Sequence, residues 1–498
     1  MRKIIITILC ICVSYAVLAD TWFVGFHDKN GTKGKIDNPL EYLSERALER
    51  RQAQGITIDS TDLPVSRIYT DSLKALGAKI LYTSKWLNGA VIAADRSFNA
   101  DGLLKLGFVN TVEITKRDSI PISAATRRKL PEEALATGLL PATEAIREYE
   151  GMLHIDSLHK LGFHGQGKMI SILDNGFVLA DKLPIYEHAR GKIAATFDIV
   201  NQGGNVYEFG VHGAMVLSVI ASVKEDTIIG TATEASYCLF HTEDDASESL
   251  LEPDNMVRAF EIADSLGTDI ITSSLGYNLF DDSLSNFTYE DMDGKTTRCS
   301  RAATIASRKG ILVCIAAGNE ASKPWHYICA PADAEGVVTV GGVDLSLQHS
   351  TFSSVGPSAD GRIKPDVCAL GTGVPIYYNE FKRSNGTSFA TPIIAGAAAS
   401  LWSALPELTA EQLKERIIRY SDHYMNPDNE YGYGIPNLIA AYYDTPTGVT
   451  YTATDKNEKI DIYDISGNHL GCDTSVLPKG IYIVHRNGEV RKIVKTEK

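Results

Sequence analysis

The sequence predicts an α/β protein built on a parallel sheet sandwiched by helices, preceded by a small ferredoxin-like α+β unit and followed by a small β domain. Three observations lead there. Between residues 150 and 444, short continuous apolar runs (169–173, 270–272, 311–316 and 337–340) alternate with helical stretches (214–222, 256–265 and 297–309), the pattern of strands buried on both faces. Ahead of them, residues 21–115 read as strands and helices that set two helices over one antiparallel sheet. Behind them, residues 448–498 return to short strands around a Ser466-Gly467-Asn468 turn. A chain of 498 residues with 44% hydrophobic content has material for several cores, so one domain is not expected.

Taken in order, the chain opens with Arg2 and Lys3, an apolar run over 4–17, and Ala19 before Asp20, the three parts of a secretory leader over residues 1–19. That run is too short to span a bilayer comfortably, so cleavage is favoured over anchoring. The mature protein is therefore expected outside the cytoplasm. Residues 20–116 form the α+β unit. Strands are expected at 22–26, 79–83, 89–93 and 109–114, with helices at 66–76 and 98–106. A further helix over 39–51 sets Leu40, Leu43, Ala47 and Leu48 on one face against Glu41, Glu45, Arg46, Glu49 and Arg50 on the other. Residues 117–149, with Pro121, Pro131, Pro141 and the basic triplet Arg127-Arg128-Lys129, read as an exposed linker holding a processing site.

Formal charge is −14, and −16 once Arg2 and Lys3 leave with the leader, so nothing favours nucleic acid or an anionic membrane as partner. Six cysteines remain after the leader, scattered without metal-ligand spacing; their pairing stays open, and Cys314 inside an apolar run suits a buried thiol.

The chemistry-bearing segment is Asn385-Gly386-Thr387-Ser388-Phe389-Ala390-Thr391-Pro392, followed by a helix rich in Ala and Gly. It presents Ser388 where a loop enters a helix, at the positive end of the helix dipole. A serine hydroxyl becomes a nucleophile only when a base takes its proton and a third group orients the base. His212, opening a helix, and Asp174, at the carboxyl end of a strand and followed by Asn175-Gly176, supply both. Acyl transfer also needs a donor for the developing oxyanion, and Asn319, after the buried run that ends in Gly318, offers its side-chain amide. Each motif alone has a plainer reading as a helix cap or turn residue. Their conjunction is what carries weight.

The order Asp, His, Asn, Ser, each in its own motif, resembles the subtilases, the subtilisin-like serine peptidases. The resemblance spans about residues 150–443 and implies a subtilisin-like fold, with Ser388 as nucleophile, His212 as general base, Asp174 as its orienting anion and Asn319 as oxyanion donor. It implies that Ser274-Leu275-Gly276 pairs with extended substrate and walls the specificity pocket, with Ala330-Pro331 as another wall. Two positions depart from the family pattern: Asn175 stands where Ser or Thr is usual, and Ala214 where Thr is usual. Residues 20–116 look like a subtilase propeptide, which implies an intramolecular inhibitor and a zymogen. The tail, with Leu477-Pro478-Lys479-Gly480-Ile481-Tyr482-Ile483-Val484, is similar to type IX secretion sorting domains, implying export machinery as a partner and the surface of a Gram-negative bacterium. Protein or peptide substrates, a monomer and no required cofactor are expected. Calcium sites occur in the family, but no acidic cluster here has the ligand spacing to assign one. The alternative is a catalytically silent, peptide-binding or adhesive surface protein of the same fold.

Overall fold

The computed structural model describes residues 19–118, 135–136, 148–224, 228–444 and, in the tail, 460–464, 469–471, 477, 480–486 and 489–495. The expected leader ahead of Ala19, the basic triplet and Cys472 lie outside the described residues.

The fold is subtilisin-like α/β with a propeptide region before it and β strands after it. Seven parallel strands lie in the order Val367–Leu370, Val338–Val343, Leu312–Ala316, Ile270–Ser273, Met169–Asp174, Ser236–His241 and Ile193–Asp198. Strand side chains alternate between faces, so each strand serves two cores. Ile170 and Ile172 join one core with helices His212–Ala221 and Thr387–Ala404; Leu173 joins the other, with helices Leu251–Leu266 and Arg298–Arg308. Successive strands are added to either side of Met169–Asp174, so the chain changes direction in the sheet beside this strand. A crevice opens at such a switch point, at the carboxyl ends of the strands, and Asp174 and Ser274 stand there.

The propeptide region forms a four-stranded antiparallel sheet in the order Lys79–Ser84, Gly89–Asp95, Ala19–Phe26, Val109–Lys116, the ferredoxin-like arrangement. Trp22, Val24 and Phe26 on one strand and Ala90, Ile92 and Ala94 on its neighbour bury one face against Tyr69, Leu73 and Leu103. The helix expected over 98–106 is a 3₁₀ segment, Ala100–Lys105. Asn99 caps it through Gly102 N–H (3.0 Å), and the glycines at 102 and 107 leave too short a run for an α-helix. The helix expected over 39–51 is split into a 3₁₀ turn, Pro39–Glu41, and an α-helix, Glu45–Ala53, where Ser44 Oγ accepts Ala47 N–H (3.1 Å) as N-cap.

The facing expected for that second helix holds in part: Ala47 is buried and Glu45 and Glu49 are exposed, but Arg50 and Arg51 are buried too, at 6% and 1% exposure, and Leu40, ahead of the helix, is 58% exposed. The reason is the helix Leu251–Leu266 opposite, whose Asp264 accepts from Arg50 Nη2 (2.6 Å), Arg51 Nη2 (2.8 Å) and Lys85 Nζ (3.2 Å). On the same helix, Glu261 accepts Ser84 Oγ (2.6 Å) and the N–H groups of Lys85 and Trp86 (3.0 Å each), and Trp86 packs into the second core of the sheet domain. Charges remote in sequence meet here, out of reach of any periodicity argument.

Within the expected linker, Leu135–Ala136 adds a strand to the hairpin Val374–Tyr378 and Glu380–Ser384. The tail strands His469–Gly471, Ile460–Asp464, Gly480–Arg486 and Glu489–Lys495 form an antiparallel sheet in that order. Among the described residues, no helix is long and apolar enough to cross a membrane. Five cysteines are buried without disulfides among those residues, and burial pushes the Cys299 and Cys314 thiols up to about 12, which keeps them protonated and inert.

Candidate active site

Asp174 ends its strand fully buried, and its Oδ1 accepts from His212 Nδ1 at 2.7 Å. The aspartate's own neighbour braces it, since Asn175 N–H donates to the same oxygen (2.9 Å). His212 begins the helix His212–Ala221, and what lets that helix start so close to the strand is Gly213. A Cβ there would stand 2.2 Å from the Gly176 carbonyl oxygen and 2.9 Å from Asp174 Cβ, so only glycine fits. Asn175, one of the two departures, bridges the gap: its Oδ1 faces Gly213 N–H (3.4 Å) and its Nδ2 donates to Asp245 Oδ1 (3.1 Å). Ala214, the other, is fully buried, and its carbonyl accepts the Tyr186 hydroxyl.

Ser388 is the second residue of the helix Thr387–Ala404 and is 8% exposed. N–H groups of a first helical turn have no acceptor within the helix, so that of Ser388 is available at the positive helix end. Gly386 leads into it with φ of +147°, a backbone that side-chain-bearing residues avoid. The phenyl ring of Phe389 lies 5.6 Å from the His212 ring, centroid to centroid, bringing the serine helix alongside the imidazole. The hydroxyl of Ser388 is turned to the Ser274 carbonyl (3.3 Å), while Ser274 Oγ donates to the Ser388 carbonyl (2.7 Å). Among the described residues, no hydrogen bond joins Ser388 to His212.

Asn319 is oriented by a residue that sequence reasoning passed over. Its Oδ1 accepts Thr387 N–H at 3.0 Å, with the Thr387 hydroxyl at 3.1 Å, which directs its amide nitrogen away from Thr387. That Nδ2 lies 3.7 Å from where a Cβ on Gly386 would be, next to the serine. Thr387 was visible as part of the serine octapeptide, but nothing in its position announced a partner 68 residues away.

The wall candidates also meet. Tyr277, after Ser274-Leu275-Gly276, pairs with Ala330 through two backbone bonds of 2.8 and 3.2 Å, and a Cβ on Gly276 would touch Cys329 Cβ at 3.0 Å. Leu275 is buried in the second core, and the Pro331 carbonyl accepts Ala334 N–H (3.0 Å). Tyr277 donates its hydroxyl to Glu243 Oε1 (2.6 Å); burial, then Glu243, hold that phenol well above its usual range. Among the described residues, no group of three or more His, Cys, Asp or Glu side chains is placed to hold a metal ion.

A buried carboxylate bound to an imidazole, a serine at a helix N-terminus and an oriented amide beside it make up the side-chain set of the serine hydrolases that act by acyl transfer. The chain belongs to the subtilase family, whose profile matches residues 165–434, more than half of it; the Peptidase S8 propeptide domain of Bacteroidota matches residues 21–131. Serine protease AprX of Bacillus subtilis is 28% identical over 55% of this chain, which spans 65% of that relative's length. Subtilisin DY of Bacillus licheniformis is 27% identical over 58% of this chain and 96% of its own. Among solved structures, MycP1 from the ESX-1 type VII secretion system aligns with a TM-score of 0.49 and 21% identity over 65% of this chain and 93% of that one.

Proposed function

We propose that the chain is the precursor of a secreted serine endopeptidase in which Asp174, His212 and Ser388 perform acyl transfer. The observation that carries this reading is the 2.7 Å bond between Asp174 and His212 beside the helix that presents Ser388. In the reaction, the Ser388 hydroxyl turns from the Ser274 carbonyl to His212 Nε2, gives up its proton there, and its oxygen bonds to the scissile carbonyl carbon. The carbonyl oxygen gathers negative charge, which the Ser388 N–H and Asn319 Nδ2 stabilise. His212 returns the proton to the leaving amine as the C–N bond breaks. Water, deprotonated by the same imidazole, then hydrolyses the acyl-enzyme. Ser274-Leu275-Gly276 aligns the substrate, and Ala330-Pro331 closes the other side of the pocket. This chemistry requires no cofactor.

The propeptide region occupies the peptidase until it is cut off, the leader directs export, and the tail sheet serves as the sorting signal for the outer membrane. Purified full-length chain tests the core of this. The parent sheds the segment ahead of about residue 150 on standing, and Ser388→Ala stays whole. Equal processing of both would refute self-cleavage by Ser388. Asn175 and Ala214 in place of the usual residues, and the resting orientation of the Ser388 hydroxyl, stand on the side of a silent peptide binder, and hydrolysis of a peptide library by the parent alone rules that reading out. Removing residues 445–498 leaves the product inside a secreting host if the tail is the address.

A further inference from the structure

At the edge of the candidate site is a cavity of about 330 Å³, lined on one side by the propeptide region and on the other by two loops of the peptidase. The loops follow the strands Ser236–His241 and Ile270–Ser273, so they leave the sheet at the same end as Asp174. Asp245, on the first loop, accepts from Asn175, next to Asp174 (3.1 Å). The loops are fastened together, since Glu248 N–H donates to Asp281 Oδ2 (3.0 Å) and Asp281 N–H to the Glu248 carbonyl (2.9 Å).

Two carboxylates at this mouth are held from behind. Asp244 accepts Ala246 N–H (3.1 Å) and Ser247 Oγ (2.9 Å), and Asp282 accepts Leu284 N–H (3.1 Å). In front, each receives a cation from the propeptide region: Lys116 Nζ lies 3.1 Å from Asp244 Oδ2, and Arg117 binds Asp282. Neither acid is deeply buried, at 32% and 17% side-chain exposure, so each can exchange one cation for another. Lys116 ends the last propeptide strand, Val109–Lys116, and Arg117 follows it. Both therefore lie on the amino-terminal side of the bonds beyond Arg117 in the expected linker, where the processing site is expected.

We infer that, after processing, Asp244 and Asp282 form a subsite that selects peptides carrying adjacent Lys or Arg residues on the amino-terminal side of the scissile bond, the precursor's Lys116-Arg117 being its built-in occupant. This rests on the peptidase reading for the cleavage step and on geometry alone for the binding step.

The test has two arms on the full chain. In the first, self-processed protein is assayed with peptide pairs that carry Lys-Arg or Gln-Gln at successive positions upstream of the cut. The Lys-Arg member of one pair has a kcat/KM higher by about fivefold, a ratio that falls towards one in D244N/D282N and in 1 M salt, because half-exposed ion pairs are modest and screened. Ratios near one at every position, or a ratio that D244N/D282N leaves standing, overturn the subsite. In the second arm, Ser388→Ala chain is titrated with a labelled Lys-Arg peptide. Adding K116Q/R117Q frees the carboxylates and tightens binding severalfold, D244N/D282N cancels the gain, and no gain counts against the subsite. Lys116→Gln alone serves if the double change impairs folding. Binding by charge without any hydrolysis would sink the peptidase reading and keep the subsite; hydrolysis blind to charge would do the reverse.

Discussion

Asp264→Asn strikes the centre of the contact between propeptide region and peptidase. The carboxylate is fully buried and takes three cationic groups from the propeptide region, with Arg50 and Arg51 only 3% and 2% exposed. Asparagine keeps the size and one acceptor but removes the charge, leaving Arg50 with the Thr268 carbonyl and Arg51 with Asp62. Breaking a buried pair from one side costs about 3–5 kcal/mol. The retained acceptor places this case at the lower end, about 3 kcal/mol, or a docking equilibrium weaker by roughly a hundredfold. Acid gives an independent measure of the same contact. Burial raises the Asp264 carboxyl, but Lys85, Arg50 and Arg51 outweigh it and bring the group from its ordinary 3.8 to about 2. A carboxyl held low stabilises the docked state above about pH 4, and that stabilisation, roughly 2 kcal/mol, drains away as pH falls towards 2. The assay is urea unfolding of the intact Ser388→Ala chain, followed by fluorescence of Trp22 and Trp86. Asp264→Asn lowers the propeptide transition by about 3 kcal/mol at pH 7, and the gap to the parent narrows by about 1 kcal/mol at pH 3. Equal transitions at pH 7, or a gap indifferent to acid, would show that the charges add nothing to docking.

Three further outcomes bear on the site. Asn319→Ala lowers kcat about a hundredfold or more with little change in KM, the cost already established for loss of one such donor in a subtilisin; steady-state kinetics that show KM rising instead would remove Asn319 from the oxyanion site. Gly213→Ala forces a methyl into the Gly176 carbonyl, and thermal unfolding registers a loss of roughly 1–3 kcal/mol together with most of the activity; unchanged melting would mean the backbone has room to yield. Asn175→Ser, which restores the residue usual in the family, keeps kcat/KM within about threefold because a hydroxyl can still face Gly213 N–H, whereas a large fall would tie activity to the bond with Asp245.

Much of the sheet domain was legible because its strands are continuous apolar runs and its helices carry caps, as with Thr297 ahead of Arg298–Arg308, whose side chain accepts Ser300 N–H. The site residues were legible as local motifs, since a strand-end aspartate, a helix-start histidine and a helix-start serine each leave a signature in a few neighbouring residues. What joins them was not. The clasp between Ser274 and Ser388 links positions 114 apart, and the turn of the Ser388 hydroxyl towards Ser274 is a rotamer choice that no pattern encodes. The helix Glu45–Ala53 shows the limit most plainly: hydrophobic periodicity placed Arg50 on the solvent side, and Asp264 draws it, with Arg51, into a buried contact beside the buried Ala47. Periodicity reports how a segment faces water, and it fails where another part of the same chain offers countercharge in place of oil.

The glycine beside His212 has one last consequence. The backbone of the helix start sits so near the strand end that any side chain in its place would press on the Gly176 carbonyl, on Asp174 and on the Phe177 ring. A change as small as one methyl group at this position is thus felt directly by the pair that would activate the serine.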